Sequence, residues 1–448
     1  MAAPDPRQII DNSPMSARQW IVVILMVALN ALDGFDVLSS AFASTGITDD
    51  WHVPRSALGV VLSAELWGMG IGSLLLGGLA DKWGRKPAML LCLVVMTVGM
   101  YLAHTATGVT PLTIWRLITG LGIGGMLAAT NAVTAESSSR NARSIAMALY
   151  VIGYPLGAVI GGFVAQGWLL VDYDWRAVFL FGAVVTAVLI PLVALLVPET
   201  PAFFAAVRPA GAVERINRSL KAFNKPLIAE LPALAPSAPK LKVSDILSNP
   251  KLRPVTLLLA FGYMFHTITF YYILKWAVQI VHDYPPGYTH PGEAQSVLTY
   301  ANIGGAVGGF LFGFLMKKWH IKWPTILLLV AGSVAVISFG MGRSSLEGWR
   351  WATVMCGFCT NAAIVGYYAA FALGFPAYAR ATGTGFVLGV GRIGAATAPI
   401  ITGFLFKKLG NDHLLTVSTI MAMGSIFSAV LLWMLPVRDA DASSGTSA

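Results

Sequence analysis

The chain of 448 residues is 56% hydrophobic and only 11% charged, with a mean hydropathy of +0.70. Soluble domains carry about 25% charged residues, so the composition excludes a soluble globular protein and points to one that crosses a membrane many times. The net charge of +9 falls in loops between apolar runs, which fits membrane topology better than nucleic-acid binding.

Residues 1–18 are polar, with no cleavage site ahead of the first apolar run, and read as a cytoplasmic tail rather than a removable signal. A span needs about 20 apolar residues. By that measure twelve are predicted: 19–42, 55–80, 87–106, 111–135, 143–168, 176–197, 254–281, 295–317, 323–341, 348–377, 382–406 and 413–436. The sixth and seventh are separated by a polar linker, 198–253, with a short amphipathic helix near Val213–Phe223; a tail follows at 437–448. Lys and Arg concentrate in the tails, the linker and every second loop, which places both termini in the cytoplasm. Arg143 and Gly157 recur as Arg380 and Gly394, and the same offset maps Gly72 onto Gly309 and Pro87 onto Pro324. The fold class expected is therefore all-α integral membrane: two related six-helix bundles, 19–197 and 254–436, with a site at their interface.

In the first span, Asp33 and Asp36 flank Gly34-Phe35. An acid at mid-span costs at least about 2.5–3.5 kcal/mol on insertion scales, which favours function over a structural staple. The i, i+3 spacing puts both carboxyls on one helix face. Glu65, in the second span, is either a proton site or the partner of a buried cation. Arg116, toward the outer end of the fourth, either balances Asp33 or Asp36 or snorkels to the interface. In the second half, Lys275 and Arg392 are mid-span cations. Arg offers a carboxylate a bidentate fork and Lys a point charge; the alternative for each is an interhelical bond. Phe35, Tyr271, Tyr272, Trp276, Tyr367 and Tyr368 are candidate walls for a flat ring, although aromatic stripes are mostly packing. His266 is either a proton relay or a hydrogen-bonded packing residue.

Other motifs carry less. Cys356-x-x-Cys359 lacks a second ligand pair and, with Cys92, reads as helix packing. GLGIGG, Gly120–Gly125, follows no strand and is rejected as a dinucleotide site. No nucleophile–base pair, metal cluster or phosphate loop is readable, so no enzyme activity, cofactor or metal is expected, and a gradient must supply the energy.

The loop GGLADKWGRKP, Gly77–Pro87, resembles the signature loop of the major facilitator superfamily at nearly every position. Within that superfamily, Asp33-Gly34-Phe35-Asp36, RLITGLGIGG (Arg116–Gly125), GYPLGAVIGG (Gly153–Gly162) and ARATGTGFVLGVGRIGA (Ala379–Ala395) are similar to the pattern of the aromatic acid:proton symporters. The resemblance spans essentially the whole chain. It implies alternating access and proton-coupled uptake of an aromatic carboxylate by a monomer in the inner membrane. Asp33, Asp36 and Arg116 would couple to the proton, with Glu65 a candidate second proton site on its own burial in the second span, and the second-half cations and aromatics would hold substrate. Asp81, Arg85, Lys86, Glu136 and Arg143 would gate the inner mouth, with Glu136 pairing to Arg85. The chain departs from the pattern in having Lys318 where the first half has Asp81, and in the intramembrane charges Glu65 and Lys275. Rival expectations are transport of another organic anion, efflux by antiport, and a membrane sensor that binds without transport.

Overall fold

In lipid every backbone polar group must be satisfied within the protein, so long apolar runs become helices. The computed structural model describes residues 5–231, 242–285, 287–315, 321–376 and 378–435. Among them are twelve helices long and apolar enough to cross a membrane. They are span 1 (Ala17–Trp51), span 2 (Arg55–Trp83), span 3 (Arg85–His104), span 4 (Val109–Ser137), span 5 (Arg143–Asp172) and span 6 (Arg176–Leu196), then span 7 (Arg253–Asp283), span 8 (Glu293–Phe314), span 9 (Lys322–Gly340), span 10 (Leu346–Gly374), span 11 (Thr382–Leu409) and span 12 (Asn411–Met434). Lys317, Lys318, Arg438 and the tail from 437 lie outside the described residues.

Several helices overrun the predicted apolar windows, because a helix continues past the hydrocarbon until a cap stops it. Span 1 starts on a capping box, in which Ser16 Oγ accepts from the Gln19 amide at 3.3 Å and Gln19 Oε1 from the Ser16 amide at 2.9 Å. It ends only at His52, in the left-handed region at φ 49°. The described parts of the linker form short helices, of which Ala212–Ala222 coincides with the predicted amphipathic segment. Its Ile216 and Leu220 pack with Ile10 of the N-terminal helix Pro6–Asp11 beneath spans 1 to 6.

The packing repeats between halves. Span 1 lies on span 5, span 2 on span 4, and span 3 on spans 4 and 6; correspondingly span 7 lies on span 11, span 8 on span 10, and span 9 on spans 10 and 12. The halves meet where span 2 crosses span 11, span 5 crosses span 8, and span 1 crosses span 7.

This interface is closed at the end away from the termini. There Arg55 of span 2 is paired with Asp283 of span 7, and Thr48 Oγ1 donates to Gln279 Oε1 at 3.2 Å. Gln295 Nε2 donates to Thr45 Oγ1 at 2.9 Å. A Cβ on Gly59 would lie 2.5 Å from the Pro399 carbonyl, and one on Gly403 2.5 Å from the Arg55 carbonyl, so spans 2 and 11 touch through their backbones. Toward the termini the same two helices part: a Cβ on Gly78, Gly385 or Gly389 would meet nothing within 4 Å. Cysteines at positions 55 and 283 (Arg55→Cys with Asp283→Cys) are therefore expected to join through a short bifunctional thiol reagent. Mobility on a gel reads the linkage, and a pair that never links would contradict this closure.

Candidate functional site

Span 2 brings Glu65 against span 4 because Gly120 has no side chain. A Cβ there would lie 2.1 Å from the Glu65 carbonyl oxygen. Arg116 is four residues earlier, one turn along the same face, and its guanidinium pairs with Glu65 Oε2. Lys275 of span 7 pairs with Glu65 Oε1 and also donates to the Val37 carbonyl of span 1. One carboxylate thus holds two cations, one of them from the opposite half, and all three side chains are fully buried. Ser40 Oγ adds a donor to Glu65 at 3.2 Å. Arg116 also donates to the Asp36 carbonyl at 2.7 Å and lies over the Phe179 ring, 5.2 Å from its centroid. Of the alternatives open for Glu65, the geometry contains the buried-cation partner. Lys275, expected against substrate, is engaged in this bridge.

Asp33 and Asp36 are also fully buried. None of their carboxyl oxygens has a hydrogen-bond partner among the described residues. Asp36 lies in electrostatic reach of Arg116, and Asp33 in reach of Asp36 and, across the interface, of Arg392.

Arg392 of span 11 differs from the other two cations. It is half-buried, and among the described residues its polar neighbour is the Met69 sulfur at 3.9 Å. Among the described residues no carboxylate lies within ion-pair distance of it. Its electrostatic neighbours are the phenols of Tyr271 and Tyr263 from span 7, Tyr368 from span 10 and Tyr154 from span 5. Tyr368 is 50% exposed although it lies beside these interface groups and 3.4 Å from the Tyr263 hydroxyl. The surface it presents therefore faces the gap that opens toward the termini. Tyr154 and Tyr263 escaped the sequence reading, since a tyrosine in an apolar helix carries no distinguishing cost.

The remaining predicted wall residues point elsewhere. His266 Nε2 donates to the Thr360 carbonyl at 2.9 Å and Nδ1 accepts from Ser425 Oγ at 2.8 Å, which fixes the tautomer. The Tyr272 hydroxyl meets Ser418 Oγ at 2.7 Å, that of Tyr367 meets Ser428 Oγ at 2.6 Å, and Trp276 Nε1 donates to the Pro399 carbonyl at 3.2 Å. These are helix-to-helix bonds within the second half. Phe35 packs edge-on against Phe181 at 5.4 Å inside the first.

At the terminal end, Arg85 reaches Asp81 at 2.6 Å and Glu136 at 3.3 Å. Thr200 Oγ1 donates to the second oxygen of Glu136 at 2.5 Å. Glu199 accepts from the Arg85 and Lys86 amides at 3.0 Å each, while burial pushes its carboxyl above the usual range. Lys86 donates to the Ala194 carbonyl at 2.6 Å at the end of span 6. Arg143 pairs with Asp11 and donates to the Ala135 carbonyl at 3.1 Å, pinning the N-terminal helix. All these bonds join the first half to itself, to the N-terminal helix or to the start of the linker, and none reaches the second half.

The arrangement is a two-halved membrane protein whose central interface holds, among the described residues, two acids without hydrogen-bond partners and a cation without an ion pair. The Major Facilitator Superfamily pattern matches residues 23–352. A gallate transporter of Pseudomonas putida is 28% identical over 94% of this chain and 95% of its own. A 4-hydroxybenzoate transporter of the same organism is 28% identical over 87% of each chain. A 3-(3-hydroxy-phenyl)propionate transporter of Escherichia coli is 27% identical over 87% of this chain and 88% of its own. The fold is also that of the E. coli xylose transporter XylE in a partially occluded inward-open form, with a TM-score of 0.72 at 14% identity, covering 94% of this chain and 98% of that one. The chain belongs to the Major Facilitator Superfamily and is a membrane transporter, not an enzyme.

Proposed function

We propose that the protein imports an aromatic carboxylate together with protons, as a monomer in the inner membrane with both termini in the cytoplasm. The observation that carries this reading is Arg392: a cation at the interface, walled by phenols, with no protein carboxylate in ion-pair contact among the described residues. A guanidinium suits a carboxylate, and the rings around it suit a flat partner. The named cargoes of the relatives, gallate, 4-hydroxybenzoate and hydroxyphenylpropionate, support the aromatic acid as substrate class.

Coupling follows from charge. The interface region holds three cations, Arg116, Lys275 and Arg392, against three carboxyls, Asp33, Asp36 and Glu65. Glu65 is committed to two of the cations and Asp36 lies near one of them. Asp33 has a like charge beside it in Asp36 and, among the described residues, Arg392 opposite. An entering carboxylate competes with Asp33 for Arg392, and a proton on Asp33 removes the competition. Proton and anion then enter as a neutral sum, and the closed far end reopens only in the other state. A ligand shifts this equilibrium by its differential affinity for the two states.

Proteoliposomes loaded at higher internal pH are expected to accumulate 4-hydroxybenzoate or gallate and to alkalinise the outer medium. Asp33→Asn is expected to abolish accumulation while leaving exchange of labelled for unlabelled substrate. Accumulation that survives Asp33→Asn would remove the proton role. No uptake of any aromatic acid by the wild type would remove the reading itself.

A further inference from the structure

Gly34, between the two aspartates, sits against span 5. A Cβ there would lie 2.1 Å from the carbonyl oxygen of Tyr154 and 3.0 Å from its carbonyl carbon. The backbones of spans 1 and 5 are thus in contact at the residue adjoining Asp33, which brings the Tyr154 backbone beside that aspartate's helix. The next residue is Pro155, inside the helix. It lacks an amide hydrogen and constrains the backbone of the residue before it, so the Tyr154 backbone is further restricted.

The Tyr154 phenol is the first-half member of the cluster around Arg392. Its electrostatic neighbours are Tyr271, Arg392, Asp33 and Tyr368, which come from spans 7, 11, 1 and 10. Tyr154 is half-buried, and its hydroxyl has no hydrogen-bond partner among the described residues. Compare Tyr150, one turn earlier on the same helix, whose hydroxyl lies 2.9 Å from Thr130 Oγ1, and Tyr272 and Tyr367, each bonded to a serine. The hydroxyls committed to packing have partners; that of Tyr154 has none among the described residues and lies in reach of an acid of one half and a cation of the other.

We propose that Tyr154 is a substrate-binding residue, whose hydroxyl donates a hydrogen bond to the substrate carboxylate seated on Arg392. The inference rests on the aromatic-acid reading above and adds a first-half contact to a carboxylate otherwise held from the second. It gives the bound anion a grip on both bundles, so the anion itself favours bringing the halves together at that level. The phenol is neutral and donates one hydrogen, so it grips a carboxylate without a further buried charge.

The test is Tyr154→Phe, which keeps the ring and its packing and removes only the donor. Wild type and variant are compared for substrate exchange in proteoliposomes and for binding of benzoate-type acids against their neutral amides. A hydrogen bond to a charged group is worth about tenfold or more in affinity. The expected result is a KM raised about tenfold, a maximal exchange rate within about twofold of wild type by the same argument, and reduced discrimination of acid over amide. Thermal stability is measured alongside. An unchanged KM and unchanged acid-over-amide preference would overturn the proposal. So would an equal loss for acid and amide, which is the mark of a purely structural role. A wild type that binds no aromatic acid would instead fail the underlying reading, so the two failures are distinguishable.

Discussion

Arg392→Ala is expected to reduce uptake efficiency by roughly 30-fold or more, because truncating one partner of a desolvated charge pair costs about 2–5 kcal/mol. The variant should nonetheless fold. Among the described residues Arg392 makes no ion pair with a protein carboxylate, and its polar neighbour is a thioether at 3.9 Å. Its removal therefore leaves no carboxylate stripped of a bonded partner. Arg392→Lys keeps the charge and loses the planar fork, so an intermediate loss is expected, about tenfold by the difference between bidentate and point-charge recognition. Initial rates at several substrate concentrations, with thermal unfolding of each variant in detergent, decide the matter. If Arg392→Ala transports normally, the substrate carboxylate is held elsewhere. If it unfolds, Arg392 is structural.

The contrast between Arg392 and Lys275 explains how much of the site was legible in the sequence. Both are cations in apolar helices, and both stood out because membrane charge is costly. What each one does depends on the helix opposite. Lys275 faces Glu65 across the interface, whereas Arg392 faces phenols, and nothing in the local sequence of spans 7 and 11 distinguishes the two. The same holds for the aromatics. Tyr271 and Tyr272 are neighbours, yet successive residues on a helix face different ways; one lies near Arg392 and the other bonds Ser418. The twelve spans and the repeat were readable because hydropathy and a fixed offset are properties of the chain alone. The helix ends were not, because caps such as Ser16 and His52 lie outside the apolar windows. The Arg85–Glu136 pair is present as the resemblance implied, but it ties span 3 to span 4 within one half. If it acts as a gate, it does so by shaping the first half's terminal face.

Glu65→Gln is expected to be among the most destabilising single substitutions in the protein. Glu65 binds Arg116 with one oxygen and Lys275 with the other, and all three side chains are fully buried. An amide in its place offers one acceptor oxygen and turns two donor hydrogens toward a cation. Breaking a buried ion pair by removing one partner costs about 3–5 kcal/mol, because the remaining charge is stranded, and here two charges lose their common counter-ion. Lys275→Met should be much milder, since Glu65 keeps Arg116 and the methionine stem fills the space. The double variant Glu65→Gln with Lys275→Met should regain part of the lost stability, because Arg116 retains the Asp36 carbonyl at 2.7 Å and the nearby Asp36 carboxyl. Thermal unfolding of the four proteins in detergent forms a double-mutant cycle whose interaction term reads the bridge directly. A Glu65→Gln protein as stable as wild type would mean that Asp36 alone neutralises both cations. Transport separates the two roles of the bridge. Lys275 crosses from the second half to Glu65 and Val37 of the first, so its loss loosens the interface toward the closed end without touching Arg392. Lys275→Met should therefore favour opening at that end and raise the reactivity of a cysteine introduced at Thr48, while substrate affinity measured in exchange changes little.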